Sequence, residues 1–318
     1  MGKPTPRKCY LIKIKDYHAV GGIPPDKITP VLKKEHYTPT QSGLFTINSV
    51  SPHRSGGRWE FSTVTWGAAT KIEKGIVQVK LRSKFIPLRS IKAWSKYSHK
   101  EILEKVLKAY DDFFDVYTNA GIALSRVKLM EAAKITYIST GKAGKEIPDK
   151  WMLNDFGHLS IKYYKDKNHN GRLDGKEGIV ADFVHSSPNT EMFTRLPPRY
   201  QGSVLKAEVL KSQPDNSRDK LLLRLLNWSH GCIHILPADM DEMVKEGYAK
   251  KGNILKVHDY TVDTYDEKEV IRHRITPYEV HFFPKDFRVV VFKIIPYSKA
   301  EIQQQLREMT ERMYDYFF

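Results

Sequence analysis

The chain has 318 residues, 41% of them hydrophobic, and its 52 lysines and arginines against 37 acidic residues give a formal net charge of +15. That is enough apolar material for one large core, or for a catalytic domain with insertions, and no apolar run reaches the 18 or so residues that a membrane-spanning helix needs. The basic balance favours a polyanionic partner, but the charges are spread out and carry no zinc-finger spacing, RNA-binding aromatic signature or basic-zipper pattern, so nucleic acid is disfavoured.

In chain order, Lys3, Arg7 and Lys8 precede only the short apolar run Cys9-Tyr10-Leu11-Ile12, so no secretory leader is visible. Residues 10–14 and 44–50 read as strands on either side of the Pro/Gly-rich stretch Gly21-Gly22-Ile23-Pro24-Pro25. Residues 58–65 and 75–88 follow with alternating, β-branched character. From Ser98 to about Lys134 the pattern is helical, opened by the capping-box pair Ser98 and Glu101. Strand character returns at 135–140, 158–165 and 179–184. Helices are expected at 218–227 and at 237–247, the latter starting on Pro237, and a strand at 252–257. A hairpin over 278–295, turning at Pro284-Lys285-Asp286, and a polar helix from about Lys299 to Tyr316 close the chain. The mixture predicts an α+β fold, β-rich with helical insertions.

There are two cysteines, and one disulfide would be a thin staple for this length; Cys9 reads as incidental and Cys232 as a free thiol with a chemical role. Cys232 lies in Trp228-Ser229-His230-Gly231-Cys232-Ile233-His234, with histidines two residues before and two after it. A thiol acts as a nucleophile once it loses its proton, which needs a base or a donor-rich setting. Gly231 allows a sharp turn, and amides near Gly231 and Cys232 can face a developing oxyanion. The heptapeptide alone leaves an inert buried cysteine open, while its i, i+2, i+4 spacing does not suit a structural zinc site. Upstream, Val180-Ala181-Asp182-Phe183-Val184 runs into His185-Ser186-Ser187-Pro188, which places a histidine where a strand ends in a loop, as a general base requires.

Asp166-Lys167-Asn168-His169-Asn170-Gly171-Arg172-Leu173-Asp174-Gly175-Lys176-Glu177 matches a twelve-residue calcium loop. The expected ligands are Asp166, Asn168, Asn170, Asp174 and Glu177, with the main-chain carbonyl of Arg172. An Asn/Gly-rich turn between strands is the alternative. The preceding Leu159–Tyr164 reads as a strand, so this would be a calcium loop outside a helix-loop-helix frame, bracing the segment that carries His185.

Ser229-His230-Gly231-Cys232 with the upstream His185-Ser186 resembles the active-site signature of the L,D-transpeptidase (YkuD-like) catalytic domain family. Tyr37-Thr38-Pro39-Thr40 with Gly43-Leu44-Phe45-Thr46-Ile47, and Leu236-Pro237-Ala238-Asp239-Met240 leading to Gly252–Val257, are similar to further elements of that family. The resemblance implies a sandwich or barrel of strands, with Cys232 as nucleophile and His185 as its base. It also implies that the Ser186 main-chain carbonyl orients His185, that His230 lines the site, that amides at Gly231 and Cys232 form the oxyanion hole, and that Ser229 and His234 meet substrate. The implied reaction is acyl transfer from peptidoglycan stem peptides through a cysteine thioester with release of D-alanine. The same chemistry with water as acceptor would make the protein a carboxypeptidase or endopeptidase, such as an exported wall-damaging effector; a non-enzymatic basic wall-binding or nucleic-acid-binding protein is the third reading. The activity implies a periplasmic or other extracytoplasmic location, while the lack of a visible signal peptide leaves non-classical export and cytoplasmic residence open as alternatives.

Two features depart from the family. His185 and Cys232 stand 47 residues apart, farther than the family spacing, and His234 replaces the usual Arg or Asn. The expected organisation is a catalytic domain over 1–260 with a helical insertion at about 91–134 and a lid at about 190–227, and a hairpin-plus-helix extension over 261–318 packed on the same domain.

Overall fold

The computed structural model describes residues 5–57, 59–118, 126–139, 146–210, 218–296 and residues 303, 304 and 307. Its strands are β1 (Arg7–Val20), β2 (Gly43–Ser51), β3 (Thr70–Glu73), β4 (Ile76–Leu81), β5 (Lys84–Pro87), β6 (Tyr137–Ser139), β7 (Glu146–Pro148), β8 (Ser160–Tyr164), β9 (Val184–His185), β10 (Ile233–Ile235), β11 (Ile254–Val257), β12 (Glu267–Arg272), β13 (Tyr278–Phe283) and β14 (Arg288–Ile295). The α-helices are α1 (Pro30–Lys34), α2 (His99–Thr118), α3 (Arg126–Ala132), α4 (Pro188–Arg195), α5 (Pro198–Leu210), α6 (Arg218–Leu226) and α7 (Pro237–Lys245). The fold is mixed α+β around one large sheet.

Nine strands form that sheet in the order β10-β9-β8-β2-β11-β13-β14-β1-β12, and a further β10–β1 pairing joins its first strand to its eighth. β1 makes this circuit possible. Its start pairs with β12, its middle with β14, and its last residues, Ala19 and Val20, with β10. Reading 10–14 alone as a strand underestimated β1 because Lys13-Ile14-Lys15-Asp16 breaks the alternation. There the ladder register shifts, and Lys13 and Lys15 turn outward to Asp16, Asp266 and Glu242. The hairpin expected within the extension from 261 onward enters the main sheet itself, since β13 and β14 lie between β11 and β1. Their apolar faces fill both sides of the sheet: Phe282 and Val291 on one, Phe283 and Phe292 on the other.

A second core lies beside the sheet. On α2, Ile102, Val106, Tyr110, Phe113, Phe114 and Tyr117 recur at helical spacing and are all buried. The helix starts as expected: Glu101 N–H donates to Ser98 Oγ at 3.2 Å and Ser98 N–H to Glu101 Oε2 at 2.7 Å. Of the helical stretch expected to Lys134, α2 covers His99–Thr118 and α3 covers Arg126–Ala132, and residues 119–125 lie outside the described ones. Met192, Phe193, Leu222 and Leu225 share this core with Trp94 and Trp151, so the described part of 190–227, where a lid was expected, packs against the insertion. Each such side chain contributes about 1.5–3 kcal/mol by burial, which a lid lifting as a unit would forfeit.

Of the strand expected over 58–65, the described residues 59–65 do not form one. Trp94 and Trp151 donate their indole N–H groups to the carbonyls of Glu60 and Phe61, at 3.1 and 2.8 Å, and hold Phe61–Thr63 as a 3-10 turn. The strand expected at 179–184 shrinks to Val184–His185 and one bridge at Ile179. The helix expected at about 299–316 lies outside the described residues except for 303, 304 and 307.

Candidate active site

β9 and β10 are parallel neighbours in which Val184 pairs with Ile233 and His185 with His234. Cys232 immediately precedes β10, so the pairing places it on the same cavity as the histidine across the intervening sequence. Cys232, His185, His230 and His234 all line one cavity of about 580 Å³, with Trp59 and Asp182 on its walls.

His185 is buried, and its Nδ1 lies 2.5 Å from the Ser186 main-chain oxygen. A carbonyl only accepts, so the ring proton sits on Nδ1 and Nε2 keeps its lone pair. Burial, reinforced by the neighbouring His234 ring 4.8 Å away, holds the His185 pKa well below the ordinary value, against the Ser186 carbonyl. Cys232 Sγ accepts from the Phe183 amide at 3.4 Å. Burial pushes the thiol up to about 12; the amide opposes this and the Asp182 carboxylate adds to it. The pair therefore rests as neutral thiol and neutral imidazole. Such a pair ionises as the proton moves during attack, not beforehand.

The cysteine loop is built around Gly231, whose φ of +122° disfavours any side chain. A Cβ there would meet Asp182 Oδ1 at 2.6 Å and Thr38 Oγ1 at 3.0 Å. Ser229 Oγ accepts from the Gly231 amide at 3.1 Å and donates to the Cys232 carbonyl. Ser229 is thus buried as a staple inside its own loop. The Gly231 amide is committed there, which leaves the Cys232 amide from the expected oxyanion pair. Exposed His230 stacks on Tyr37 with ring centroids 4.1 Å apart, and its carbonyl accepts from Thr38 Oγ1 at 2.8 Å. His234 donates from Nδ1 towards the Leu226 and Asn227 carbonyls at 2.7 and 3.2 Å, anchoring the end of α6. Burial lowers its pKa.

Thr38, from the Tyr37–Thr40 element, lines the cavity, and so do Asp182 and Trp59, which nothing local in the sequence singles out. Asp182 sits in the segment expected as strand. That stretch leaves the ladder so that Asp182 Oδ2 accepts from Gln41 N at 3.3 Å and the Phe183 amide reaches Cys232. Burial raises the Asp182 pKa. Glu191, in the first turn of α4, is also buried and accepts from Ser186 Oγ.

The 166–177 loop curls through side-chain turns. Asp166 accepts from the amides of Asn170 and Gly171 at 3.1 and 2.9 Å, and Asn170 Oδ1 from the Arg172 amide at 2.7 Å. The amide groups of Asn168 and Asn170 donate to Asp174, at 2.9 and 2.6 Å, and Glu177 accepts from the Lys167 amide at 2.7 Å. Arg274 pairs with Asp166 at 3.7 Å. Among the described residues, no three His, Cys, Asp or Glu side chains converge as a metal set.

No family model matches the chain, and neither the curated proteins nor the solved structures contain a match.

Proposed function

We propose that the protein is a cysteine acyltransferase, an L,D-transpeptidase acting on peptidoglycan stem peptides. The observation that supports this reading is the β9–β10 pair, which leaves Cys232 and His185 lining one cavity, with the His185 ring proton held on Nδ1 by the Ser186 carbonyl. His185 Nε2 takes the thiol proton as Sγ bonds to the donor carbonyl carbon. The Cys232 amide faces the oxyanion, the carbon–nitrogen bond breaks, and the imidazolium returns the proton to the departing D-alanine amine. An acceptor amine then attacks the thioester, losing its proton to His185, and the thiol is restored. Asp182, Trp59 and His230 give the cleft both an acidic wall and aromatic walls for a peptide. The charge of +15 suits an anionic wall polymer, and no helix among the described residues is long and apolar enough to cross a membrane.

Incubating the wild type and Cys232→Ala with purified muropeptides and resolving the products by mass spectrometry tests the reading. Cross-linked dimers from the wild type alone support transpeptidation. Shortened stems without dimers make water the acceptor, and identical profiles from both proteins refute the enzyme.

Calcium at the 166–177 loop belongs to the same reading. Asp166, Asp174, Glu177 and the carbonyl of Arg172 supply hard oxygen donors. Asn168 and Asn170 would turn their amide oxygens inward in place of the NH2 groups now given to Asp174. The loop follows β8 and leads to β9, so an ion there would stiffen the approach to His185.

A further inference from the structure

The Ser186 side chain opens a second polar chain that leads away from the cleft. Ser186 Oγ donates to Glu191 Oε1, and both residues are buried. The same carboxylate oxygen lies 2.8 Å from the His158 amide and 2.5 Å from His158 Nδ1. The other ring nitrogen, Nε2, lies 2.7 Å from Asp241 Oδ1. Burial works against a charge on His158, but Glu191 and then Asp241 hold its pKa above the ordinary value. A doubly protonated imidazole matches two carboxylate acceptors, one at each nitrogen.

The topology gives this chain a purpose. Glu191 lies on α4, which follows the histidine strand β9, and Asp241 lies on α7, which follows the cysteine strand β10. His158 therefore pins together the two helices that leave the two reactive strands. Glu191 reaches Ser186 without entering the cleft, as neither it nor His158 is among the cavity-lining residues described above. Space for this contact is reserved at Gly157, where a Cβ would lie 1.9 Å from Ser186 Oγ and 2.6 Å from Glu191 Oε1. The Ser186 side chain is thus held on one side by Glu191 and Gly157, while its carbonyl holds the Nδ1 proton of His185.

We propose that Glu191 and His158 are positioning residues that fix the His185 base through Ser186, by way of the chain Asp241–His158–Glu191–Ser186–His185. The inference rests on His185 being the base of the proposed acyl transfer. A buried carboxylate with three protein donors is costly to assemble, and replacing one member disturbs the others. Positioning errors near an angstrom lower rates by about 100-fold.

Two readouts follow on the full-length protein: the iodoacetamide alkylation rate of Cys232, located by peptide mass, and kcat and KM on muropeptides. The variants are Glu191→Gln, Ser186→Ala, Asp241→Asn, the double Glu191→Gln/Ser186→Ala, and His185→Ala as reference. Glu191→Gln and Ser186→Ala are expected to lower alkylation and kcat by about 10-fold each with KM unchanged. The double variant should lose no more than the worse single one, because both act along one path. Asp241→Asn touches only the outer end and should lose about 3-fold, which keeps the test open if Glu191→Gln fails to fold. Wild-type rates in Glu191→Gln and Ser186→Ala, or fully additive losses accompanied by a raised KM, overturn the positioning role. If His185→Ala itself alkylates like the wild type, the base assignment falls first and the inference with it. A slow His185→Ala beside an unaltered Glu191→Gln refutes the inference alone.

Discussion

Gly231→Ala should disable the cysteine loop while leaving the chain folded. The residue's φ of +122° lies where only glycine is comfortable, and holding alanine there costs about 1–3 kcal/mol. The added Cβ would also lie 2.6 Å from Asp182 Oδ1, roughly half an angstrom inside the closest contacts that real Cβ atoms make. Asp182 can give way only by loosening its bond from Gln41 N, worth about 1 kcal/mol. Together these come to about 2–4 kcal/mol, most of which the loop can relieve by shifting Cys232 away from its place before β10. If that strain is expressed as lost alignment, alkylation of Cys232 and turnover both fall by about 30- to 1000-fold. The assay is Cys232 alkylation and muropeptide turnover beside thermal melting. Wild-type rates with an unchanged Tm would refute the close approach of Asp182 to Gly231 and the role assigned to the turn.

Arg272→Met should be among the most destabilising single changes. Arg272 holds fully buried Glu279 through two contacts of 2.6 and 2.8 Å, and removing one partner of a buried pair costs about 3–5 kcal/mol, read as a large drop in Tm. A Tm within a degree of wild type would refute the pair's role. Acid should unfold the chain early. Burial, and for His258 also His281, depresses His53 to about 4 and His258 to about 3, so their stabilising effect is present above the unfolded value of about 6.5 and is lost as pH falls through about 4 and about 3. A Tm that stays flat from pH 7 to pH 4 would contradict this. Millimolar calcium should raise Tm, and chelator should lower turnover; no change in either quantity would exclude calcium at Asp166–Glu177.

The cysteine motif and the histidine at 185 were legible because each is short, local and chemically unusual. Their association was implied only by the family resemblance, because the shared cavity depends on a parallel pairing between two very short strands with three described helices between them. The strand periodicity at β2, β8, β11 and the β13–β14 hairpin was readable, as was the capping box of α2. The full length of β1 was hidden by its charged middle, and the turn at Phe61–Thr63 was hidden because two distant tryptophans enforce it. Asp182 and Glu191 carried no signal of their own. An aspartate within an apolar run, and a glutamate in the first turn of a helix that needs acidic residues there anyway, look ordinary until tertiary contacts bury them. His234, expected as a substrate contact, lines the cavity, and its Nδ1 bonds to Leu226 and Asn227 also tie it to the end of a helix, a contact that its sequence spacing does not announce.

The central claim is that Cys232 carries the acyl group and His185 moves the proton. Brief incubation with a tetrapeptide muropeptide, followed by acid quench and intact mass measurement, tests it most directly. The account predicts an adduct of the donor less D-alanine, located on Cys232, much slower to form in His185→Ala and absent in Cys232→Ala. An adduct on another residue, or turnover that persists in Cys232→Ala, would contradict it.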